Sequence, residues 1–153
     1  MKPKFITMYM EIAGIIAKQS SAKRLQVGAI VVKEDRIISI GYNGMPAGWT
    51  NECEEKEWII GNIPNDPFEN KWIFKEEDSS SIYRMKTKKE VIHAEANAIA
   101  KLARSPESGE GSTMFLTHAP CLDCAKQMYA VGINKVYFRD HRSEEHTSEL
   151  QSH

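Results

Sequence analysis

The chain has 153 residues and a formal net charge of −1, with 20 basic against 21 acidic side chains. This length suits one domain with a hydrophobic core. The balanced charge excludes a general attraction to nucleic acid or anionic lipid. No stretch reaches the roughly 18 apolar residues of a transmembrane helix, and three cysteines do not make a disulfide framework. We therefore expect a cytoplasmic protein without a membrane or nucleic-acid partner.

The first part of the chain predicts a helix followed by a hairpin. Apolar side chains recur at helical spacing through residues 5–20, which indicates an amphipathic helix. Residues 27–33 are rich in β-branched side chains and predict a buried strand. Residues 36–42 predict the returning strand, after a tight turn at Glu34 and Asp35.

The segment at residues 50–89 is long for a connection inside a compact domain. It is mostly polar, yet it contains Trp58, Trp72 and Phe74, so we expect it to be ordered in part. Connections of this length are usually functional or inserted. The sequence assigns it no definite secondary structure.

The second half predicts alternating helices and strands. Helices are expected over residues 90–104 and 121–131, the second ending at Gly132, and strands over residues 113–117 and 135–138. The element order strand, strand, helix, strand, helix, strand predicts an α/β fold in which helices cover a mixed sheet.

Two predicted helix starts carry side chains that can bind a metal. His93 lies at one, and Cys121 and Cys124 lie three residues apart at the other, on one helical face. Free N–H groups and the helix dipole favour thiolates in a first turn. One imidazole and two thiolates make a three-ligand zinc site with a fourth position open for water. The remaining cysteine, Cys53, is interpreted as a free thiol.

Glu95 is predicted to be the acid–base group of this site. It lies two residues from His93, too close to be another ligand of the same ion without strain. Zinc lowers the pKa of a bound water to about 7, and a neighbouring carboxylate can take its proton and return it elsewhere. A thiol–disulfide pair is the alternative for the two spaced cysteines, but such a pair needs no upstream His-x-Glu.

These motifs resemble a known family. His-x-Glu at residues 93–95, followed by Pro-Cys-x-x-Cys at residues 120–124, is the signature of the zinc nucleobase deaminases. The segment G-Y-N-G-M-P-A-G at residues 41–48 is similar to the deoxycytidylate branch. The resemblance runs over residues 5–138. It implies a cytidine deaminase-like α/β fold with three layers, in the order α-β-α. The mixed sheet of this fold consists of a hairpin followed by parallel strands.

The resemblance implies hydrolysis of dCMP to dUMP and ammonia with Zn²⁺ as the cofactor. Glu95 would carry a proton to ring nitrogen 3 and then to the departing amine. Backbone groups near Ala94 and Ala119 would hold the edge of the base, and Asn43 would contact the sugar. Arg24 is a candidate partner of the phosphate; the alternative is a solvated surface arginine.

The resemblance also implies assembly and regulation. Family members are commonly homo-hexamers that dCTP activates and dTTP inhibits, so we expect a homo-oligomer. Gly41, Tyr42 and Gly44 are the candidate effector-binding residues. Some relatives carry a cysteine where this chain has Ala22. A second, structural metal that depends on that cysteine is therefore not expected.

Two other functions remain open at this point. An RNA-editing adenosine deaminase of tRNA shares both zinc motifs but would need a basic surface. The balanced charge and the segment at residues 41–48 argue against it. A non-catalytic nucleotide-binding relative is the second alternative. The intact Glu95 argues against that, because a binding module has no use for a proton shuttle.

The final stretch, residues 142–153, holds one aliphatic side chain, Leu150, and predicts a disordered tail. Its sequence RSEEHTSELQSH resembles the in-frame translation of a sequencing adapter. We therefore predict a non-native tail after a deaminase domain over residues 1–141, incomplete at its C-terminal end and carrying an insertion at about 50–89. The strand at residues 135–138 is then expected to be an exposed sheet edge, which invites association with another chain.

Overall fold

The computed structural model describes residues 1–63, 65–77 and 80–141. The predicted tail at residues 142–153 lies outside these described residues. Among the described helices, none combines the length and the hydrophobicity required to cross a membrane. The elements in chain order are α1 Pro3–Ala17, β1 Gly28–Lys33, β2 Arg36–Tyr42, β3 Glu54–Ile59, α2 Pro67–Asn70, β4 Ile73–Lys75, β5 Ile82–Thr87, α3 Ala94–Ala103, β6 Thr113–His118, α4 Leu122–Ala130 and β7 Lys135–Asp140.

The main sheet has four strands in the order β2-β1-β6-β7. Strand β1 pairs antiparallel with both β2 and β6, whereas β6 and β7 run parallel. This confirms the predicted mixed sheet, a hairpin followed by parallel strands. It follows that the carboxyl ends of β2, β6 and β7 lie at the same end of the sheet. Helices α3 and α4 also begin at this end, which therefore positions the candidate site.

Alternating side chains of β1 and β6 separate the core into two layers. On one face, α1 contributes to the cluster Tyr9, Ala13, Ile30, Val32 and Phe115. On the opposite face, α3 and α4 contribute to the cluster Val27, Ala29, Val31, Ala94, Ala98, Leu102, Met114, Leu116, Met128 and Ile133. The predicted three-layer α-β-α arrangement is therefore confirmed.

The hairpin turns through Glu34, with φ 51°, and Asp35, with φ 61°. Two successive residues in the left-handed region are typical of a two-residue type I′ turn, whose twist suits antiparallel strands. The predicted tight turn is confirmed. The paired strands place Gly28 opposite Tyr42.

Two glycines allow helices to lie directly on the strands of the hairpin. A Cβ at Gly28 would overlap the carbonyl oxygen of Ala13 in α1, and one at Gly41 would overlap the carbonyl oxygen of Ala94 in α3. Each helix therefore approaches its strand more closely than any side chain would permit. Since Gly41 lies beneath α3, it belongs to the packing of that helix.

The helix predicted over residues 90–104 corresponds to α3, which begins only at Ala94. The predicted start at residue 90 is therefore wrong. Gly44 and Ile92 form an antiparallel bridge and exchange two backbone hydrogen bonds, of 3.1 and 2.8 Å. This pairing holds the residues before His93 in an extended form. It is a contact between distant parts of the chain, which a helical pattern cannot reveal.

Strands β3, β5 and β4, which the sequence left unassigned, form a second antiparallel sheet, here called the insertion sheet. One of its faces carries a row of aromatic side chains, with Tyr83 between Trp58 and Phe74. Ring centroids are 5.5 Å apart in the first pair and 5.8 Å in the second. The expectation that this segment is partly ordered is confirmed.

The close seat of α3 generates a stability prediction. We expect Gly41→Ala to lower the free energy of unfolding by about 1–3 kcal/mol, because the added methyl group must displace backbone of the helix. Urea denaturation followed by circular dichroism measures the change. Gly44→Ala is the matched control, since a Cβ there meets nothing within 4 Å. Equal midpoints for the two variants would contradict the assignment.

Candidate active site

The first half of the site is the start of α3. His93 is the N-cap residue, with extended backbone angles of φ −67° and ψ 154°. Glu95 lies in the first turn and has no exposed surface. The hydroxyl of Ser39 on β2 donates a hydrogen bond to the carbonyl of Ala98 at 2.7 Å. Strand β2 thus fixes the helix that carries both functional side chains.

The second half is the start of α4. Cys121 is its N-cap residue and is extended, with φ −74° and ψ 167°. Cys124 follows in the first turn and is buried. The Ala119 N–H donates to the carbonyl of Asp140 at 2.9 Å. The turn that carries the two cysteines is therefore tied to the end of β7.

The two helix starts bring the three predicted ligands together. The Nδ1 atom of His93 lies 3.6 Å from Sγ of Cys121 and 3.3 Å from Sγ of Cys124. All three ligand atoms lie within 4.8 Å of one another. Ligands of a tetrahedral zinc ion, with Zn–S and Zn–N distances of about 2.3 and 2.1 Å, have their N and S atoms about 3.6 Å apart. The group fits zinc through Nδ1 of the histidine.

The two thiols of this group differ in acidity. The pKa of Cys121 is lowered to about 3, because its sulfur accepts hydrogen bonds from Cys124 and then from His93. The pKa of Cys124 is raised, because its thiol serves as the donor to Cys121 and is also buried. The pair thus shares one proton, which a bound dication would release because thiolates are the ligands.

Glu95 lies beside the ligand group without belonging to it. Its Oε1 atom is 3.8 Å from Nδ1 of His93, and its carboxylate is buried at the base of the site. A three-ligand zinc site leaves one position for water. A carboxylate at this place can accept a proton from that water and pass it to a bound substrate.

Asn43, predicted to contact a sugar, lies next to the start of β1. Its Oδ1 atom accepts a hydrogen bond from the Val27 N–H, and its Nδ2 donates to the Leu25 carbonyl, both at 2.8 Å. Its own carbonyl accepts from the hydroxyl of Ser20 at 2.7 Å. The side chain thus holds the loop before β1 in place. Contact with a sugar stays a prediction.

Arg24 is held by the insertion. Its Nη2 atom lies 2.7 Å from Oε1 of Glu69, its side chain is 13% exposed, and its guanidinium lies over Trp72. Its Nη1 donates to the Met85 carbonyl at 3.2 Å. Arg24 is therefore not a solvated surface side chain. Sequence patterns do not reveal Glu69 as its partner, because 45 positions separate the two residues.

The candidate effector residues fall in two places. Tyr42 and Gly44 line a cavity of about 310 Å³, together with Asn97 and Lys101 of α3. Gly41 is not among the residues that line it, since it lies beneath the helix. Asn97 Nδ2 donates to the Tyr42 carbonyl at 2.9 Å, which joins the cavity wall to the helix of His93.

Comparison with known proteins assigns the chain to a family. Residues 3–140 match the family model of the cytidine and deoxycytidylate deaminase zinc-binding region. The chain belongs to this family. It is 35% identical over 144 residues to the deoxycytidylate deaminase of Enterobacteria phage T4, covering 84% of this chain and 74% of that protein. A deoxycytidylate deaminase of Mycobacterium phage D29 is 32% identical over 90% of this chain and 95% of its own length.

A solved structure agrees with these relatives. The crystal structure of the dCMP deaminase from the cyanophage S-TIM5, in complex with dCMP and dUMP, superposes with a TM-score of 0.71. It is 38% identical in sequence and covers 94% of this chain and 87% of that one. The chain is thus a zinc-dependent deaminase, and the group at the starts of α3 and α4 is suited to its metal.

The metal assignment is tested at Cys121. We expect Cys121→Ser to lower the zinc content well below one ion per chain, because a neutral hydroxyl replaces a thiolate ligand. Elemental analysis after dialysis against a weak chelator measures the loss. The control is Cys53→Ala, because Cys53 is buried outside the ligand group and burial raises the pKa of its thiol. Equal zinc content in the two variants would overturn the ligand set.

Proposed function

We propose that this deaminase hydrolyses dCMP to dUMP, consuming one water and releasing one ammonia. The observation that carries the reaction type is the buried carboxylate of Glu95 beside the group of His93, Cys121 and Cys124. The substrate is proposed from the likeness to the phage deoxycytidylate deaminases.

The proposed mechanism assigns one role to each residue of the site. His93, Cys121 and Cys124 would hold zinc, which supplies a Lewis acid and lowers the pKa of water. Glu95 would take a proton from the attacking water, give it to ring nitrogen 3, and later protonate the leaving amine. Its burial excludes bulk water, so the proton stays within the site.

Backbone groups are proposed to contact the edge of the base, and a side-chain amide is proposed to contact the sugar. Ala94 lies in the first turn of α3 and is fully buried. The N–H of Ala119 is bonded to Asp140, so a contact with the base falls to the Ala119 carbonyl. Asn43 is proposed to meet the sugar from the end of β2, where its backbone and side chain are already fixed.

The proton-transfer role is tested by Glu95→Gln. We expect turnover of dCMP to fall by about 10²–10⁴-fold or more, because the amide keeps the shape of the side chain and cannot accept a proton. Zinc content and the melting temperature should stay close to wild type. An ultraviolet assay at saturating dCMP measures the rate. The assignment fails if the variant keeps more than about a tenth of the wild-type rate.

Recognition of the 5′-phosphate is proposed for Arg24, and its ion pair with Glu69 offers a competing explanation. If Arg24 binds phosphate, Arg24→Ala should lower kcat/KM for dCMP by at least about tenfold and leave deoxycytidine unchanged. If Arg24 only anchors the insertion, both substrates should lose equally. Glu69→Gln is the matched variant, since it weakens the anchor and keeps the guanidinium.

Regulation, assembly and location are also proposed. We place dCTP and dTTP as activator and inhibitor in the cavity beside Tyr42 and Gly44, where Lys101 offers a cation for phosphates. Assays with either nucleotide added test whether the enzyme is regulated in this way. A homo-hexamer is proposed from the family likeness. A cytoplasmic location suits the three free thiols, and the deaminase domain is proposed to span residues 1–141 with its insertion at 50–89.

A further inference from the structure

The proposed mechanism makes no use of His118, although this residue lies close to the metal ligands along the chain. It is the last residue of β6 and precedes Cys121 by three positions. In the parallel ladder of β6 and β7, His118 stands opposite Asp140. The same two strand ends hold the turn of Cys121 through the hydrogen bond from Ala119 to Asp140.

A protein group lies beside each nitrogen of the His118 imidazole. Its Nδ1 atom shares a hydrogen bond of 2.9 Å with the hydroxyl of Thr117, which in turn accepts a bond from the Gly28 N–H at 3.0 Å. Its Nε2 atom lies 3.8 Å from Oδ2 of Asp140. Only 13% of the side chain is exposed. The hydrogen bond with Thr117 therefore orients the ring, and protein surrounds most of its surface.

The alternation of β6 places His118 on the zinc-binding side of the sheet. Met114 and Leu116 belong to the core cluster that contains the α3 residues, whereas Phe115 belongs to the cluster beneath α1. Side chains two positions apart share a face, so His118 continues the row of Met114 and Leu116. That row ends at the same end of the sheet where α3 and α4 begin.

From this placement we propose that the ring of His118 is a wall of the substrate site, against which the pyrimidine packs. A phosphate is a poorer occupant of this position, because both ring nitrogens already face protein groups and the Asp140 carboxylate repels an anion. An aromatic ring held in place offers contact area without losing rotamer entropy on binding. The inference rests on the proposed dCMP deamination.

Three variants test this role. We expect His118→Ala to raise KM for dCMP and the dissociation constant for the product dUMP by about tenfold, with kcat and zinc content nearly unchanged. His118→Phe keeps a flat ring and should restore both constants to within about threefold. Tyr129→Ala is the matched control, because Tyr129 is 85% exposed on α4 and lies outside the proposed wall. Steady-state kinetics and calorimetric binding of dUMP supply the two readouts.

The outcomes separate this inference from the function on which it rests. If the wild type turns over dCMP but His118→Ala leaves KM and dUMP binding unchanged, the wall assignment is overturned and the activity stands. If both histidine variants lose zinc or unfold, His118 serves only the fold and the assignment is again overturned. If the wild type neither turns over dCMP nor binds dUMP, the proposed function and the inference fall together.

Discussion

Helix α3 lies directly on strand β2 because Gly41 leaves room for the helix backbone and Ser39 donates a hydrogen bond to Ala98. This contact sets the distance between the helix and the sheet. His93 and Glu95 lie at the start of the same helix. Their position relative to the sheet therefore depends on Gly41, which is not itself a metal ligand. The chemistry of the site therefore depends on the packing of one strand.

The second helix start is secured by a different strand. The turn before Cys121 is bonded to the end of β7 through Ala119 and Asp140. Two anchors on separate strands thus determine where the imidazole and the thiolates meet. Because the sheet joins these anchors, the ligand geometry is shaped before a metal binds, which lowers the cost of ordering the site. The buried Glu95 benefits from the same rigidity.

The sequence predicts those parts of the fold that local patterns determine. Helix α1, the hairpin and the ligand set of His93, Cys121 and Cys124 follow from periodicity, turn chemistry and motif spacing, and the structure brings the three ligands together. The start of α3 was predicted wrongly, because the bridge between Gly44 and Ile92 joins distant residues.

The insertion and its anchor could not be predicted, each for a physical reason of its own. The strands of the insertion sheet mix charged and aromatic side chains, so they carry no simple alternation of apolar and polar residues. The ion pair of Arg24 with Glu69 and the pair of His118 with Asp140 form only after strands and loops from separate parts of the chain have come together. Each of these four side chains alone resembles an ordinary polar residue of a protein surface.

The two glycines of the hairpin also bear on which register its strands can adopt. Gly28 lies under α1 and Gly41 under α3, on opposite faces of the same pair of strands. A shift of one residue in strand pairing would turn Ile40 or Tyr42 toward α3 in place of Gly41. The helix could then no longer settle on the sheet. The native register of β1 and β2 is therefore a condition for the close approach of both helices.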